Sequence, residues 1–245
     1  QIDANTGAIS LKAGVALDYE ADSTDSVTVR VTDQGGLTTD KTFAINVTNV
    51  NEAPTDATLT NNNIAENALA GTVVGTVAGV DPDGGSTFTY QIVGGDSAKY
   101  QIDANTGAIS LKAGVALDFE SDDTDTITVR VTDQGGLTTD KAFDINITDV
   151  NEGPSGATLS SNTIAENSVA GTYVGTVQGS DPDLEAAFTY EIVGGDSAKY
   201  QIDAMTGEIT LKAGVSLDYE ADSTDSVTVR VTDQGSLTTD KTFAI

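Results

Sequence analysis

The sequence predicts an all-β chain: tandem seven-stranded Greek-key β-sandwiches in an elongated array. Three observations carry that prediction. Apolar residues alternate with a period of two, not 3.6. Short alternating runs follow one another, separated by glycine-rich turns. The whole pattern then recurs every 100 residues without insertion or deletion.

The alternation is clearest in TDTITVRVTD, where Ile127, Val129 and Val131 face one way and Thr128, Arg130 and Thr132 the other. In KAFDINITDV, Phe143, Ile145 and Ile147 alternate with Asp144, Asn146 and Thr148. In STFTYQIVGG, Phe88, Tyr90 and Ile92 alternate with Thr89 and Gln91. Further strands are expected over 57–64, 72–80, 100–103 and 108–112. Gly84-Gly85, Gly94-Gly95, Gly135-Gly136 and Asn105-Thr106-Gly107 supply the turns. The result is about seven strands per unit of roughly 100 residues. No stretch carries a helical stripe.

The repeat sets the domain organisation. QIDANTGAISLKAGVALD begins at Gln1 and again at Gln101, and QIDAMTGEITLKAGVSLD begins at Gln201. Residues 1–48 and 101–148 are identical at 40 of 48 positions. Pro54 and Pro154 open units. Residues 1–50 are then the second half of one unit, 54–150 a complete unit, and 154–245 a unit lacking its outgoing linker. The half unit leaves a sheet edge unpaired and cannot close its own core.

Composition removes whole classes of function. The 245 residues hold 11 Lys and Arg against 38 Asp and Glu, a net charge of −27. Such a chain repels nucleic acid and anionic membrane surfaces. Regular alternation with 38% hydrophobic residues argues against acidic disorder. There is no Cys and no His. That excludes disulfides, thiolate sites, the usual zinc sites and histidine acid–base chemistry. No apolar run is long enough to span a membrane as a helix. The chain opens at Gln1 without a leader and reads as a piece of a longer one.

A subset of the acids recurs at strand ends in each copy. Glu66 and Glu166 lie in IAEN, after the first strand of a unit. Asp118 and Glu120 lie in LDFE, matched by Asp18, Glu20, Asp218 and Glu220 in LDYE. The DPD turns hold Asp81 with Asp83, and Asp181 with Asp183. VTDQG carries Asp33, Asp133 and Asp233. The joint between units supplies Asp149, Asn151 and Glu152, and its twin 100 residues earlier supplies Asn49, Asn51 and Glu52.

Counting strand directions through a sandwich puts Glu66, Asp118 and Glu120 at the trailing pole of the middle unit. It puts Asp181, Asp183 and Asp233 at the leading pole of the next, with the linker between. Eight carboxylates at one joint repel strongly without counterions. Oxygen ligands in excess, with no nitrogen or sulfur, suit Ca²⁺, which takes about 6–8 of them. Mg²⁺, which keeps its waters and demands an octahedron, fits less well.

The set IAEN, LDFE, DVNEGP, DPD and VTDQG closely resembles the calcium motifs of cadherin repeats, in order and spacing and across the whole chain. The resemblance is to the bacterial cadherin-like repeats of large secreted or surface adhesins more than to animal cell–cell cadherins. It implies that Glu66, Asp118, Glu120, Asn151 and Glu152 ligate Ca²⁺ from the upper unit and linker, joined by Asp181, Asp183 and Asp233 from the lower. Two positions depart from the family pattern: Glu152 stands where a shorter Asp is usual, and Gly153 where an Asn is. The first joint keeps Asp18, Glu20, Asn51, Glu52, Asp81, Asp83 and Asp133 but has Asn49 in place of an acid, so weaker binding is expected there.

Rival readings of the same residues are weaker. DPDGG lacks the later ligands of an EF-hand, and GGDSAKY is not a glycine-rich calcium nonapeptide. No carboxylate pair stands apart as a glycosidase would need, so no enzyme is expected. Asp22, Asp25, Asp122, Asp123 and Asp125 read as a solvated acidic turn. Tyr19, Phe119 and Tyr219 read as core plugs. The expected function is that of calcium-rigidified extracellular spacers in a membrane-associated bacterial adhesin. The partners are calcium and neighbouring repeats, with any cell-surface or matrix receptor engaged by other parts of the parent protein. The alternative is a module that grips a carbohydrate or protein receptor directly, but aromatics are only 5% and Trp is absent.

Overall fold

The computed structural model of the chain describes residues 1–184 and 186–245. Among these there is no helix, and the chain divides into two compact units. The first comprises Gln1–Ile64, Ala68–Ala116 and Thr124–Asn146; the second comprises Ala65–Asn67, Leu117–Asp123 and Ile147–Ile245.

The first unit opens with an antiparallel hairpin of β1 (Thr24–Thr32) and β2 (Thr38–Asn46), in register from Thr24 opposite Asn46 to Thr32 opposite Thr38. It closes no core of its own: Leu11, Val31, Phe43 and Ile45 all stay exposed. Eight strands follow: β3 (Asp56–Leu59), β4 (Asn63–Ala65), β5 (Val73–Val80), β6 (Thr89–Gly95), β7 (Tyr100–Ile102), β8 (Ala108–Leu111), β9 (Thr124–Thr132) and β10 (Thr138–Thr148). They make two four-stranded sheets, ordered β3-β5-β8-β7 and β4-β10-β9-β6. The alternating residues meet in the interior, where Ile109, Leu111, Ile127, Val129 and Val131 are fully buried.

The strand expected over 57–64 is instead two short strands in different sheets. Asn61 Nδ2 donates to Val74 O at 2.7 Å and to Asn63 O at 3.1 Å, and Asn62 Nδ2 donates to Asp144 O at 3.1 Å. These side chains satisfy the backbone where the ladder is interrupted and carry the chain from one sheet to the other. The crossing needs Gly75, because a Cβ there would lie 2.2 Å from Asn61 O.

The second unit has β11 (Gly156–Leu159), β12 (Tyr173–Ser180), β13 (Thr189–Gly195), β14 (Tyr200–Ile202), β15 (Glu208–Leu211), β16 (Ser226–Thr232) and β17 (Thr238–Ala244). Its sheets are ordered β11-β12-β15-β14 and β13-β16-β17. Val174, Val177, Tyr190, Tyr200, Ile209, Leu211, Val227, Val229 and Val231 form its core.

Two groups of side chains lie elsewhere than their spacing predicts. Asp125 is no solvated turn residue: it lies in β9, fully buried, accepting from Lys99 Nζ at 2.5 Å and from Tyr100 OH at 2.7 Å. Asp225 repeats the arrangement with Lys199 Nζ and with Tyr200 OH at 2.7 Å. A buried carboxylate needs such a cation and donor. Asp22, Asp122 and Asp123 are exposed as expected. Of the three aromatic plugs, Phe119 is half-buried while Tyr19 and Tyr219 are exposed.

Candidate metal centre

All motif residues of the second joint fall within the second unit, and all those of the first joint within the first. In the second, Glu66 follows β4 and is buried. Its Oε1 accepts the Val150 N–H at 2.8 Å and its Oε2 the Phe119 N–H at 2.8 Å, so one carboxylate fastens the linker to the LDFE loop. Asp118 turns that loop by accepting the Ser121 N–H at 3.1 Å and hydroxyl at 3.0 Å. Glu66, Asp118 and Glu120 each offer a carboxylate oxygen to one cluster whose atoms lie within 4.8 Å of one another. Glu120, Asp149 and Asp183 form a second such cluster, so Glu120 belongs to both.

The DPD turn lies after β12. Asp181 Oδ1 accepts the Asp183 N–H at 3.1 Å, and Asp183 Oδ2 accepts the Glu152 N–H at 3.0 Å. The DQG turn lies after β16. Asp233 Oδ1 accepts the Leu237 N–H at 2.8 Å, and Asp233 Oδ2 accepts Asn151 Nδ2 at 2.8 Å. Asn151 Nδ2 also donates to Glu152 O at 2.7 Å.

The first joint is built alike. Glu20, Glu52 and Asp83 form a cluster within 4.8 Å. Glu52 N–H donates to Asp83 Oδ2 at 2.9 Å, Asp83 N–H to Asp81 Oδ1 at 2.9 Å, and Asn51 Nδ2 to Asp133 Oδ2 at 2.7 Å. Asp18 lies outside that cluster, its Oδ1 accepting the Ala21 N–H at 3.0 Å. Glu166, Asp218 and Glu220 form a further cluster, wholly exposed.

The electrostatics are those of crowded acids. Glu152 is pushed up to about 7, first by burial and then by Asp183, Glu66 and Glu120. Burial and the charges of Glu66, Asp149 and Asp183 raise Glu120, and burial with Asp183 and Asp233 raises Asp181. At the first joint, burial and then Glu20, Asp83, Asp18 and Asp81 raise Glu52. Asp133 goes the other way: burial opposes its charge, but the bonds from Asn51, Leu137, Gly135 and Gly136 outweigh it and hold it low.

Five buried oxygens have no hydrogen-bond partner among the described residues: Asp81 Oδ2, Asp83 Oδ1, Glu152 Oε2, Asp181 Oδ2 and Asp183 Oδ1. Orphaned buried carboxylate oxygens are costly, and like charges beside them make them more so. Hard oxygens that no protein donor satisfies are a donor set that fits Ca²⁺.

The Cadherin domain profile matches residues 60–148 and 160–245. The chain belongs to the cadherin family. Mouse protocadherin Fat 4 is 34% identical over 154 residues, covering 60% of this chain and 3% of that protein. Dachsous of Drosophila melanogaster is 28% identical over an alignment of 253 residues, covering 97% of this chain and 7% of that protein. The cadherin repeats here thus span a small fraction of the relatives they match. Among solved structures, the protocadherin GammaB4 extracellular domain superposes with a TM-score of 0.71 at 26% identity, over 100% of this chain and 41% of that one. Mouse cadherin-23 EC22-24 does so with 0.65 at 25% identity, over 94% and 76%. These relatives are animal proteins and lend no support to a bacterial origin. The family is one of adhesion-protein modules and not one of enzymes.

Motif reading missed one participant. Gln134 Nε2 donates to Asn51 Oδ1 at 3.3 Å, and Gln234 Nε2 to Asn151 Oδ1 at 3.3 Å. The available signal was the recurrence of Gln beside the motif Asp in every VTDQG.

Proposed function

We propose that these cadherin repeats are calcium-stiffened spacers of a large surface adhesin, acting outside the cell. The units run over 1–50 (a second half), 54–150 and 154–245. Glu66, Asp118, Glu120, Asp149, Asn151, Glu152, Asp181, Asp183 and Asp233 hold Ca²⁺ at the second joint. Asp18, Glu20, Asn51, Glu52, Asp81, Asp83 and Asp133 hold it at the first. The observation that carries the reading is the set of five buried carboxylate oxygens without a partner, all in the DPD turns and the linker. Bound calcium supplies positive charge that turns repulsion among these acids into attraction. The linker backbone, fastened at Val150 to Glu66 and at Glu152 to Asp183, then loses its freedom. The near-identity of the copies suits a repeated spacer, and the further assignment to a bacterial adhesin rests on the motif resemblance alone.

A calcium titration followed by small-angle scattering and calorimetry tests this. Extracellular modules bind at about 10⁻⁴–10⁻³ M, so a transition in that range is expected, with a larger maximum dimension and tighter distance distribution above it. Heat uptake or scattering that is flat from EDTA to 5 mM calcium, about 5–50 times that Kd, overturns the proposal.

A further inference from the structure

The three residues of the DQG turns at 133–135 and 233–235 each touch one linker side chain, Asn51 and Asn151 respectively. At the second joint, Asp233 Oδ2 receives the Asn151 amide nitrogen at 2.8 Å, and Gln234 Nε2 donates to the Asn151 amide oxygen at 3.3 Å. Gly235 lies under the amide plane: a Cβ there would sit 2.5 Å from Asn151 Cγ. The first joint repeats this through Asp133, Gln134 and Gly135 around Asn51. Each Gln also reaches a second loop. Gln134 Oε1 accepts the Thr87 N–H at 2.9 Å, and Gln234 Oε1 the Ala187 N–H at 3.0 Å.

An asparagine amide has distinct donor and acceptor ends. Asp233 fixes the donor end and Gln234 the acceptor end, so the amide has one favoured orientation. Gln234 is in turn fixed, because its oxygen is held by a backbone N–H on the loop after the DPD turn. All of these bonds join one protein group to another.

We infer that Gln134 and Gln234 are positioning residues that clamp the linker Asn onto the following unit before any cation arrives. The linker Asn and the neighbouring Glu152 N–H are therefore docked on the DQG and DPD turns in calcium-free protein. For calcium the consequence rests on the function proposed above: a site whose competent form is sparsely populated binds more weakly by that fraction, and removing a residue that orients a ligand typically weakens metal binding by about 10–100-fold.

The test uses the whole chain with ¹⁵N-labelled side-chain amides. In EDTA, the Asn151 NH₂ pair is expected as a sharp, well-separated doublet. Gln234→Ala should collapse it towards free-amide positions while Asn51 stays put, and Gln134→Ala should do the reverse. Gln234→Glu keeps the acceptor for Ala187 N–H but has no proton to give Asn151, so it should release the Asn151 amide without disturbing the loop. An Asn151 doublet unchanged in both Gln234 variants overturns the clamp. With calcium, Gln234→Ala should weaken the second joint about tenfold and leave the first unaltered; a second-joint affinity equal to that of the unsubstituted chain overturns the positioning role. A chain that takes up no calcium overturns the proposed function instead, and the EDTA spectra still decide the clamp.

Discussion

At the scale of single residues, the buried Asp125 and Asp225 show what motif reading overlooks and why. Both were legible in principle. Asp125 is in phase with Ile127, Val129 and Val131, so period-two alternation already puts it on the core face. Its cation and hydroxyl come from Lys99 and Tyr100, and no local pattern links residues 26 and 25 apart. The joint acids were easier, because they recur at strand ends, whereas the Gln234 clamp depends on hydrogen bonds that spacing does not show. The Asp225 group makes a pH prediction. Its bond to Lys199 raises that ammonium above its usual value, and burial, followed by Asp225, raises the Tyr200 hydroxyl. For Lys199 the stabilisation is complete below about pH 10.5 and is lost as pH rises through the folded value. Tyr200 has the same sign, since the unfolded phenol ionises near pH 10 while the folded one stays neutral. Melting of the second unit should therefore fall steeply above about pH 10, and Asp225→Asn should cost about 2–3 kcal/mol at pH 7.5 while flattening the alkaline fall. A second residue-scale prediction separates the joints. Glu120 stands in both clusters of the second joint and in none of the first. Glu120→Ala should lower calcium affinity there by roughly tenfold or more and leave the first joint intact. Equal loss at both joints, read by site-resolved titration, would contradict this placement.

At the scale of elements, alternation located β6, β9 and β10 because each buries one face against the opposite sheet. It failed between Ala57 and Ile64, where the apolar phase breaks after Leu59 and the chain changes sheets. Asn61-Asn62-Asn63 was the local sign of a break, and its meaning is tertiary: the amides replace ladder bonds on both sides of the crossing. Gly75 is the counterpart of that crossing. Gly75→Ala drives a Cβ into Asn61 O and should destabilise the sandwich by about 1–3 kcal/mol in chemical denaturation. Gly84→Ala is the control, since a Cβ there meets nothing within 4 Å, and its effect should stay within about 0.5 kcal/mol. Similar losses for the two would mean that glycine is needed at Gly75 for some reason other than close approach.

At the scale of the whole molecule, a net charge of −27 means that any cation will stabilise the chain to some degree. Calcium held at built sites must therefore be told apart from calcium that merely screens. The Debye length is already about 8 Å at 0.15 M salt, and adding 2 mM calcium at that background changes ionic strength by only about 4%, which hardly moves that length. Screening thus predicts almost no change. Binding predicts RT ln(1 + [L]/Kd), about 2 kcal/mol per site at 2 mM for a Kd near 10⁻⁴ M, a melting shift on the order of 10 °C for a 100-residue unit. Raising sodium chloride from 0.15 to 0.5 M should supply more screening and yet a smaller shift than 2 mM calcium. Magnesium at 2 mM should fall between, because it surrenders its waters reluctantly to a cluster of this kind. If sodium at 0.5 M reproduces the calcium shift, the partnerless oxygens of Asp81, Asp83, Glu152, Asp181 and Asp183 are solvated acids and not ligands.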